Sequence, residues 1–453
     1  MSTLLHLVSE QTMQNLLPIL ALRPRRVIQV RSRADKFHRA AENLKNAVAA
    51  MRSTFLYRDL NPEFVEVVID EESPSVDSSR AKVAESLARW PGSVVNLTGG
   101  TKQMSIGAYL AGENAPRLYC DTAIRQFIAV GPQPLPVLPP FEQIAASLTV
   151  EAVMAAHGVP PDNWKFDRAT DPLRAVGRAG YAARQADPER FRAFAETVRR
   201  HFRDEKGRLP QSVPKLRELI AKPIPAASPA LHPFLKAVAA AGLLKRDDKD
   251  AFVPAVAPNR QDVERLANLL DGSWLELYVV DLLTQHTHRW SDPHWSVEPR
   301  RPAEAVFGET DVVCVNVAAC ALQIISCKTT LHQPLETLEA LTQRRRDMGG
   351  IFAKATLALH ILSSFSRQFL KNAIAFRTER ENQPIEKTRS FLYFPKAEQL
   401  FQPDAPGDCS LFSAETPLRR RYSSSQTLRW AASAFLRGEI RHSMRAMLRG
   451  EGK

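Results

Sequence analysis

Cysteine is scarce in this chain. The 453 residues hold five, Cys120, Cys314, Cys320, Cys327 and Cys409. None stands in C-x-x-C spacing, which weakens a zinc reading, and an odd count argues against a disulfide framework. No stretch approaches roughly 18 uninterrupted apolar residues, so no membrane span is expected. The first residues, "MSTLLHLVSEQTMQN", lack the basic start and long apolar core of a signal peptide. A cytoplasmic protein is expected. No G-x-G-x-x-G follows the first apolar run, so the usual dinucleotide fingerprint is missing. No internal repeat is found.

What is present is a basic chain with material for real cores. Hydrophobic residues make up 44% and the net charge is +12. A basic balance of this size favours nucleic acid or a phosphorylated partner. The length predicts about two or three domains. In the first 130 residues, apolar runs at Leu4–Val8, Arg26–Val30, Phe64–Ile69, Val94–Leu97 and Arg117–Cys120 alternate with helical patterns at Thr12–Ala21, Lys36–Met51, Ser78–Trp90 and Lys102–Ala111. That alternation predicts a mostly parallel, doubly wound sheet. The proline-rich "GPQPLPVLPP", Gly131 to Pro140, marks a boundary.

The next stretch, 136–258, reads as mostly helical. Near its end, "LHPFLKAVAAAGLLKRDDKDAFVPA" suggests a helix, a charged turn and a short return strand, either a winged-helix-like unit or a plain helical spacer. The third region, 259–453, opens on a strong helical pattern interrupted by Gly272. "TDVVCVNVAACALQIISCKTT" then predicts a hairpin. A helix over Leu335–Met348 and a buried strand in "GGIFAKATLALHILSS" follow, and the chain ends in an arginine-rich segment.

Two places carry chemistry. In "VVNLTGGTKQMSIGAYLAG" a strand hands over to a helix through Thr98, Gly99, Gly100, Thr101 and Lys102. Ligands of parallel sheets sit at strand carboxyl ends, and a helix N-terminus favours negative charge. Lys102 adds a full charge, and Asn96, Thr98 and Thr101 offer hydrogen bonds. The first strand ends equivalently in Ser9, Glu10, Gln11 and Thr12, with Asn15 one turn on, so both turns could line one pocket; an ordinary glycine turn with a solvated lysine also fits. The second place combines Glu276, a carboxylate among Trp274, Leu275 and Leu277, with Asp311 and Lys328 on the two strands of the hairpin. A buried carboxylate is costly without a partner. The trio fits either a metal-dependent phosphodiesterase holding Mg²⁺ or Mn²⁺ or a structural ion pair.

Residues 1–135, with the "SEQT" turn and "NLTGGTK", resemble a CARF domain, the CRISPR-associated Rossmann fold. The resemblance implies a cyclic oligoadenylate bound across a homodimer interface, with cyclic tetra-adenylate the expected ring. It assigns Ser9, Glu10, Gln11, Thr12, Asn96, Thr98, Gly99, Gly100, Thr101 and Lys102 to that site. "GSWLELY", "GETDVV" and "ISCKTT" resemble the PD-(D/E)xK nucleases found after CARF domains in type III CRISPR defence. This implies an α/β protein with a restriction-endonuclease-like C-terminal domain, RNA or DNA as substrate, and Glu276, Asp311 and Lys328 as catalytic residues. Ser326 departs from the pattern, since Glu or Asp is usual there. Glu309, Glu336, Glu339 or the Cys327 carbonyl is expected to complete the metal ligands.

Two rival readings compete. A HEPN ribonuclease needs R-x₄-H, and both Arg33–His38 and Arg437–His442 match. With eleven histidines in so arginine-rich a chain, chance supplies such spacings. A CARF domain joined to a winged helix would instead make a ligand-responsive DNA-binding regulator. Arg419, Arg420, Arg421, Arg429, Arg437, Arg441, Arg445 and Arg449 support nucleic-acid contact. That reading leaves Glu276, Asp311 and Lys328 unexplained.

Overall fold

The computed structural model describes residues 3–225, 229–299, 309–328, 340–341, 343–344, 348, 353–359 and 390–393. Glu336, Glu339, the arginine-rich end, the second R-x₄-H match and most of the expected 335–348 helix lie outside the described residues.

The first unit runs β1 (Thr3–Leu7), α1 (Met13–Leu22), β2 (Arg26–Ser32), α2 (Asp35–Met51), β3 (Glu63–Ile69), α3 (Val76–Arg89), β4 (Val94–Asn96), α4 (Lys102–Ala111), β5 (Arg117–Asp121) and β6 (Gln126–Ala129). The strands lie in the order β3-β2-β1-β4-β5-β6. All neighbours pair in parallel except β5 and β6. The doubly wound sheet expected from the sequence is therefore present. Its inner strands β1, β2 and β4 are largely buried on both faces, as parallel strands covered by helices are. Leu4 and Val27 face one core, and Leu5, Leu7, Ile28 and Val30 face another with Val83 and Met104. Strand β6 was not expected; it is short and partly exposed, so its apolar signal is weak.

Two short helices follow the proline-rich segment, α5 (Phe141–Ala146) and α6 (Val150–Ala156). They share one continuous core with α1, α2 and the C-terminal sheet, in which Leu17, Val48, Val153, Val313, Val315, Leu322 and Ile324 are buried together. Then come β7 (Trp164–Asp167), α7 (Asp171–Ala186), α8 (Pro188–Phe202), α9 (Val213–Ile220), α10 (His232–Ala240), β8 (Leu244–Arg246) and β9 (Phe252–Pro254). The helix α10 followed by the β8–β9 hairpin has the helix-turn-strand form read from the sequence.

The remaining described elements are α11 (Arg260–Asn268), α12 (Trp274–Gln285), β10 (Trp290–Pro299), β11 (Thr310–Asn316), β12 (Ala321–Lys328), β13 (Lys354–Leu359) and β14 (Ser390–Tyr393). The second sheet has the order β14-β13-β12-β11-β10-β7, so one strand from within 136–258 closes its edge. The expected hairpin is β11–β12, turning through Val317–Ala319, and β13 runs parallel to β12. Alternation along the hairpin gives it two apolar faces. Val313, Val315, Leu322 and Ile324 join the core containing α6, and Val312, Cys314, Ile325 and Cys327 join the one containing α12. Strand β10 carried no recognisable signal. It contains Asp292 and Pro293, its pairing with β11 shifts between Ser291 and His294, and Asp292 and Ser296 have positive φ.

Candidate functional site

In the first sheet, strand order reverses between β1 and β4, which are adjacent and parallel. Their carboxyl-end turns therefore meet at the switch point where doubly wound sheets take ligands. Gly99 is packed so closely that a Cβ there would lie 1.9 Å from the Leu7 carbonyl oxygen, and Gly100 has φ +74°. Both positions need glycine. Thr101 caps α4, its hydroxyl accepting from the Met104 N–H at 3.2 Å. Ser105 donates to the Gly99 carbonyl at 3.0 Å.

The residues assigned to this site divide by what they contact. Asn96 is fully buried: its Nδ2 donates to Gln14 O and Asn15 Oδ1, and its Oδ1 accepts from the Thr98 N–H and hydroxyl. Asn15 in turn donates to Leu7 O at 3.0 Å. Thr98 Oγ1 also accepts from Cys120 N–H at 2.6 Å, and Thr12 is buried. Asn96 and Thr98 thus knit the two turns together. Glu10, Gln11 and Lys102 are exposed, Ser9 is half-buried, and Glu10 pairs with Lys36 at 3.1 Å.

The second constellation also comes together. Val312 stands opposite Ile325, so the next step along each strand sets Asp311 opposite Ser326. Asp311 Oδ2 accepts from the Ser326 hydroxyl at 3.0 Å, the Cys327 N–H at 2.6 Å and Lys328 Nζ at 2.8 Å. Ser326, found where a carboxylate was expected, is buried and holds Asp311 in place. Glu276 approaches from α12. A π-helical turn, Leu269–Ser273, precedes that helix and contains Gly272. Such turns recur at functional sites. This one is held from α8, where Arg199 pairs with Asp271 at 2.7 Å and Arg203 donates to Asn268 at 2.6 Å. Tyr181 of α7 stacks on Tyr278 at 4.1 Å, and Arg178 pairs with Asp281, fixing α12 beside α7.

A cleft of about 210 Å³ is lined by Asn268, Asp271, Gly272, Ser273, Glu276, Cys327 and Lys328. Glu276 is buried and its Oε2 has no hydrogen-bond partner. Burial, then the negative charges of Asp311 and Glu309, push its carboxyl well above the usual range. Burial opposes the charge of Lys328, but Asp311 outweighs it and raises the ammonium above its ordinary value. Burial, and then the charges of Asp311 and Glu276, raise the Cys327 thiol well above its ordinary value. Glu309 is exposed, immediately before β11. Arg33 of the first R-x₄-H match lies on the first unit, paired with Asp70 at 3.3 Å. Sequence reasoning missed Asp271 and Arg199, whose roles depend on contacts remote in sequence.

A doubly wound sheet whose two facing turns meet at its switch point has the frame of a Rossmann-like domain. Residues 3–132 match the family model described as the Card1 CARF domain, and the N-terminal unit is a CARF domain. Across the longer chain, the fold is similar to that of Can2 from Sulfobacillus thermosulfidooxidans, solved in complex with cyclic tetra-adenylate. The two are 18% identical, the match covers 87% of this chain and 95% of Can2, and the TM-score is 0.51. It is also similar to protein VC1899 from Vibrio cholerae, at 14% identity, 86% and 94% coverage and a TM-score of 0.57. A comparison with curated protein sequences finds no match. No described helix is long and apolar enough to cross a membrane.

Proposed function

We propose that this chain is a cyclic-oligoadenylate-activated, metal-dependent endonuclease of type III CRISPR antiviral defence, acting in the cytoplasm as a homodimer on RNA or DNA. The observation that carries this reading is the unpartnered, buried Oε2 of Glu276 in a cleft shared with Lys328, whose ammonium holds Asp311. An orphaned buried carboxylate oxygen calls for a cation. The donors to Asp311 converge on Oδ2, which leaves Oδ1 for the same ion. Glu276, Asp311 and the Cys327 carbonyl would hold Mg²⁺ or Mn²⁺ in a PD-(D/E)xK-like arrangement, with all-oxygen ligation suited to either. When bound, such an ion polarises a phosphate and acidifies a water. Lys328 keeps its proton, so it donates to a phosphate oxygen or orients the water and does not act as a base. Ser326 and the Cys327 N–H keep Asp311 in one orientation.

Can2 binds cyclic tetra-adenylate, and the same class of ligand suits the turns at Ser9–Thr12 and Thr98–Lys102 here. Lys102 and the N-terminus of α4 would meet its phosphates. Ile106, Tyr109 and Leu110 form an exposed apolar stripe at i, i+3, i+4 on α4, beside exposed Tyr119 and Ile124. A second copy docked on this stripe would bring two identical turns to one two-fold ring.

The test is incubation with labelled single-stranded RNA, single-stranded DNA and supercoiled plasmid, with and without each cyclic oligoadenylate and Mn²⁺. Cleavage only when ring and metal are both present is expected. Cleavage that survives EDTA would overturn the reading. The α10 and β8–β9 unit favours a second reading, a non-catalytic DNA-binding regulator. It predicts ring-dependent DNA binding with no cleavage in any arm.

A further inference from the structure

A different cluster of metal-ligating groups lies where α6 meets β10. Glu151 stands in the first turn of α6, and Asp292 and His294 stand on β10. One donor atom from each side chain lies within 4.8 Å of both others. None of the three belongs to the cleft at Glu276 or to the turns of the CARF domain.

His294 makes this more than a pair of acids. It is 1% exposed, and neither ring nitrogen makes a hydrogen bond. Its Nε2 sits 3.0 Å from Asp292 Oδ2, inside the cluster. Packing holds the ring in place, with Phe166 at 5.2 Å between centroids. A buried imidazole with two unmet nitrogens is an unusual cost, because nearly all buried polar side-chain atoms find partners. Both carboxylate oxygens of Asp292 also hold protein donors. Its Oδ1 accepts from Arg168 at 2.8 Å and its Oδ2 from the Val150 N–H at 2.8 Å. The pairing of β10 with β11 shifts register between Ser291 and His294, at the position of Asp292.

We propose that Glu151, Asp292 and His294 bind a divalent transition-metal ion of the zinc class. An imidazole nitrogen and carboxylate oxygens are both ligand types that Zn²⁺ takes, and a water would complete a tetrahedron. The ion would fasten α6 to the C-terminal sheet. Helix α6 is buried together with α2 of the CARF domain on one side and with β11 and β12 on the other. A bound metal would therefore stiffen the seam between sensor and effector sheets, independently of any nuclease metal.

The experiment uses the full chain, stripped with chelator, dialysed against Zn²⁺ and assayed for bound metal by mass spectrometry and for Tm. The Glu276→Gln/Asp311→Asn double variant isolates this site from the cleft. It should retain about one equivalent of zinc and show a zinc-dependent rise in Tm. Adding His294→Gln should abolish both. Glu151→Gln, at a partly exposed position, should fold and lower zinc affinity at least about tenfold. Co²⁺ should give visible d–d absorption in the double variant and none once His294 is replaced. Equal zinc content with and without His294, or unchanged affinity in Glu151→Gln, would overturn the site and leave a hydrogen-bonded ion cluster.

Discussion

Lys328 Nζ lies 2.8 Å from Asp311 Oδ2, across a hairpin in which the same oxygen also accepts from Ser326 and the Cys327 N–H. The contact holds the ammonium at the mouth of the cleft and locks the carboxylate beside Glu276. Lys328→Ala should therefore lower cleavage by about 10²–10³-fold, the usual cost of losing a group that stabilises developing charge. Asp311→Asn should abolish cleavage. Both variants should bind cyclic tetra-adenylate as wild type does, because the CARF turns and the hairpin belong to different sheets. Single-turnover cleavage and calorimetry check the two halves. Wild-type rates in both variants would remove the catalytic assignment.

Ser326→Glu replaces a buried donor to Asp311 with another carboxylate. The metal-free variant should melt lower than wild type, since two carboxylates would then adjoin Glu276. Mn²⁺ should raise its Tm more than it raises the wild-type Tm, because a third carboxylate strengthens a hard-cation site. A variant that is destabilised yet gains nothing from Mn²⁺ would show that no cation sits beside residue 326.

Glu276 should make stability fall with rising pH. Its carboxyl is raised by burial in the folded protein, so the native state binds more protons than the unfolded state. Stability then decreases as pH climbs above the ordinary glutamate value of 4.5 and through the raised one. Glu276→Gln should flatten that dependence and leave the metal-free protein more stable at neutral pH, while abolishing or greatly reducing cleavage. Chemical denaturation of chelated protein across pH 4–8 measures this, and parallel curves for wild type and variant would refute it.

The turn at Gly99 separates fold from ligand binding. Gly99→Ala forces a methyl group against the Leu7 carbonyl and should destabilise the CARF domain by about 1–3 kcal/mol. Lys102→Ala touches nothing in the fold and should leave Tm unchanged while weakening cyclic tetra-adenylate binding by about tenfold or more. Unchanged affinity in Lys102→Ala would mean that its charge does not meet the ring.

The alternation of apolar runs with amphipathic helices determined the first sheet, because each parallel strand has an apolar run at its centre and each crossover helix shows a buried stripe. The same reasoning located the β11–β12 hairpin and so the meeting of Asp311 with Ser326 and Lys328, since antiparallel register follows from a short turn. Strand β10 escaped it. Pro293 and Asp292 read as turn formers, and only pairing with β11 on one side and β7 on the other makes that stretch a strand. Asn96 looked like a ligand-facing amide in the sequence, yet its burial against Asn15 and Gln14 makes it the tie between two turns. The π-turn ahead of Glu276 needed Arg199 and Arg203 from another helix, and the Glu151, Asp292 and His294 cluster joins residues of α6 and β10. Local pattern fixes which segments bury which face. Which side chains then share a cavity depends on long-range packing, and no periodicity in the chain records it.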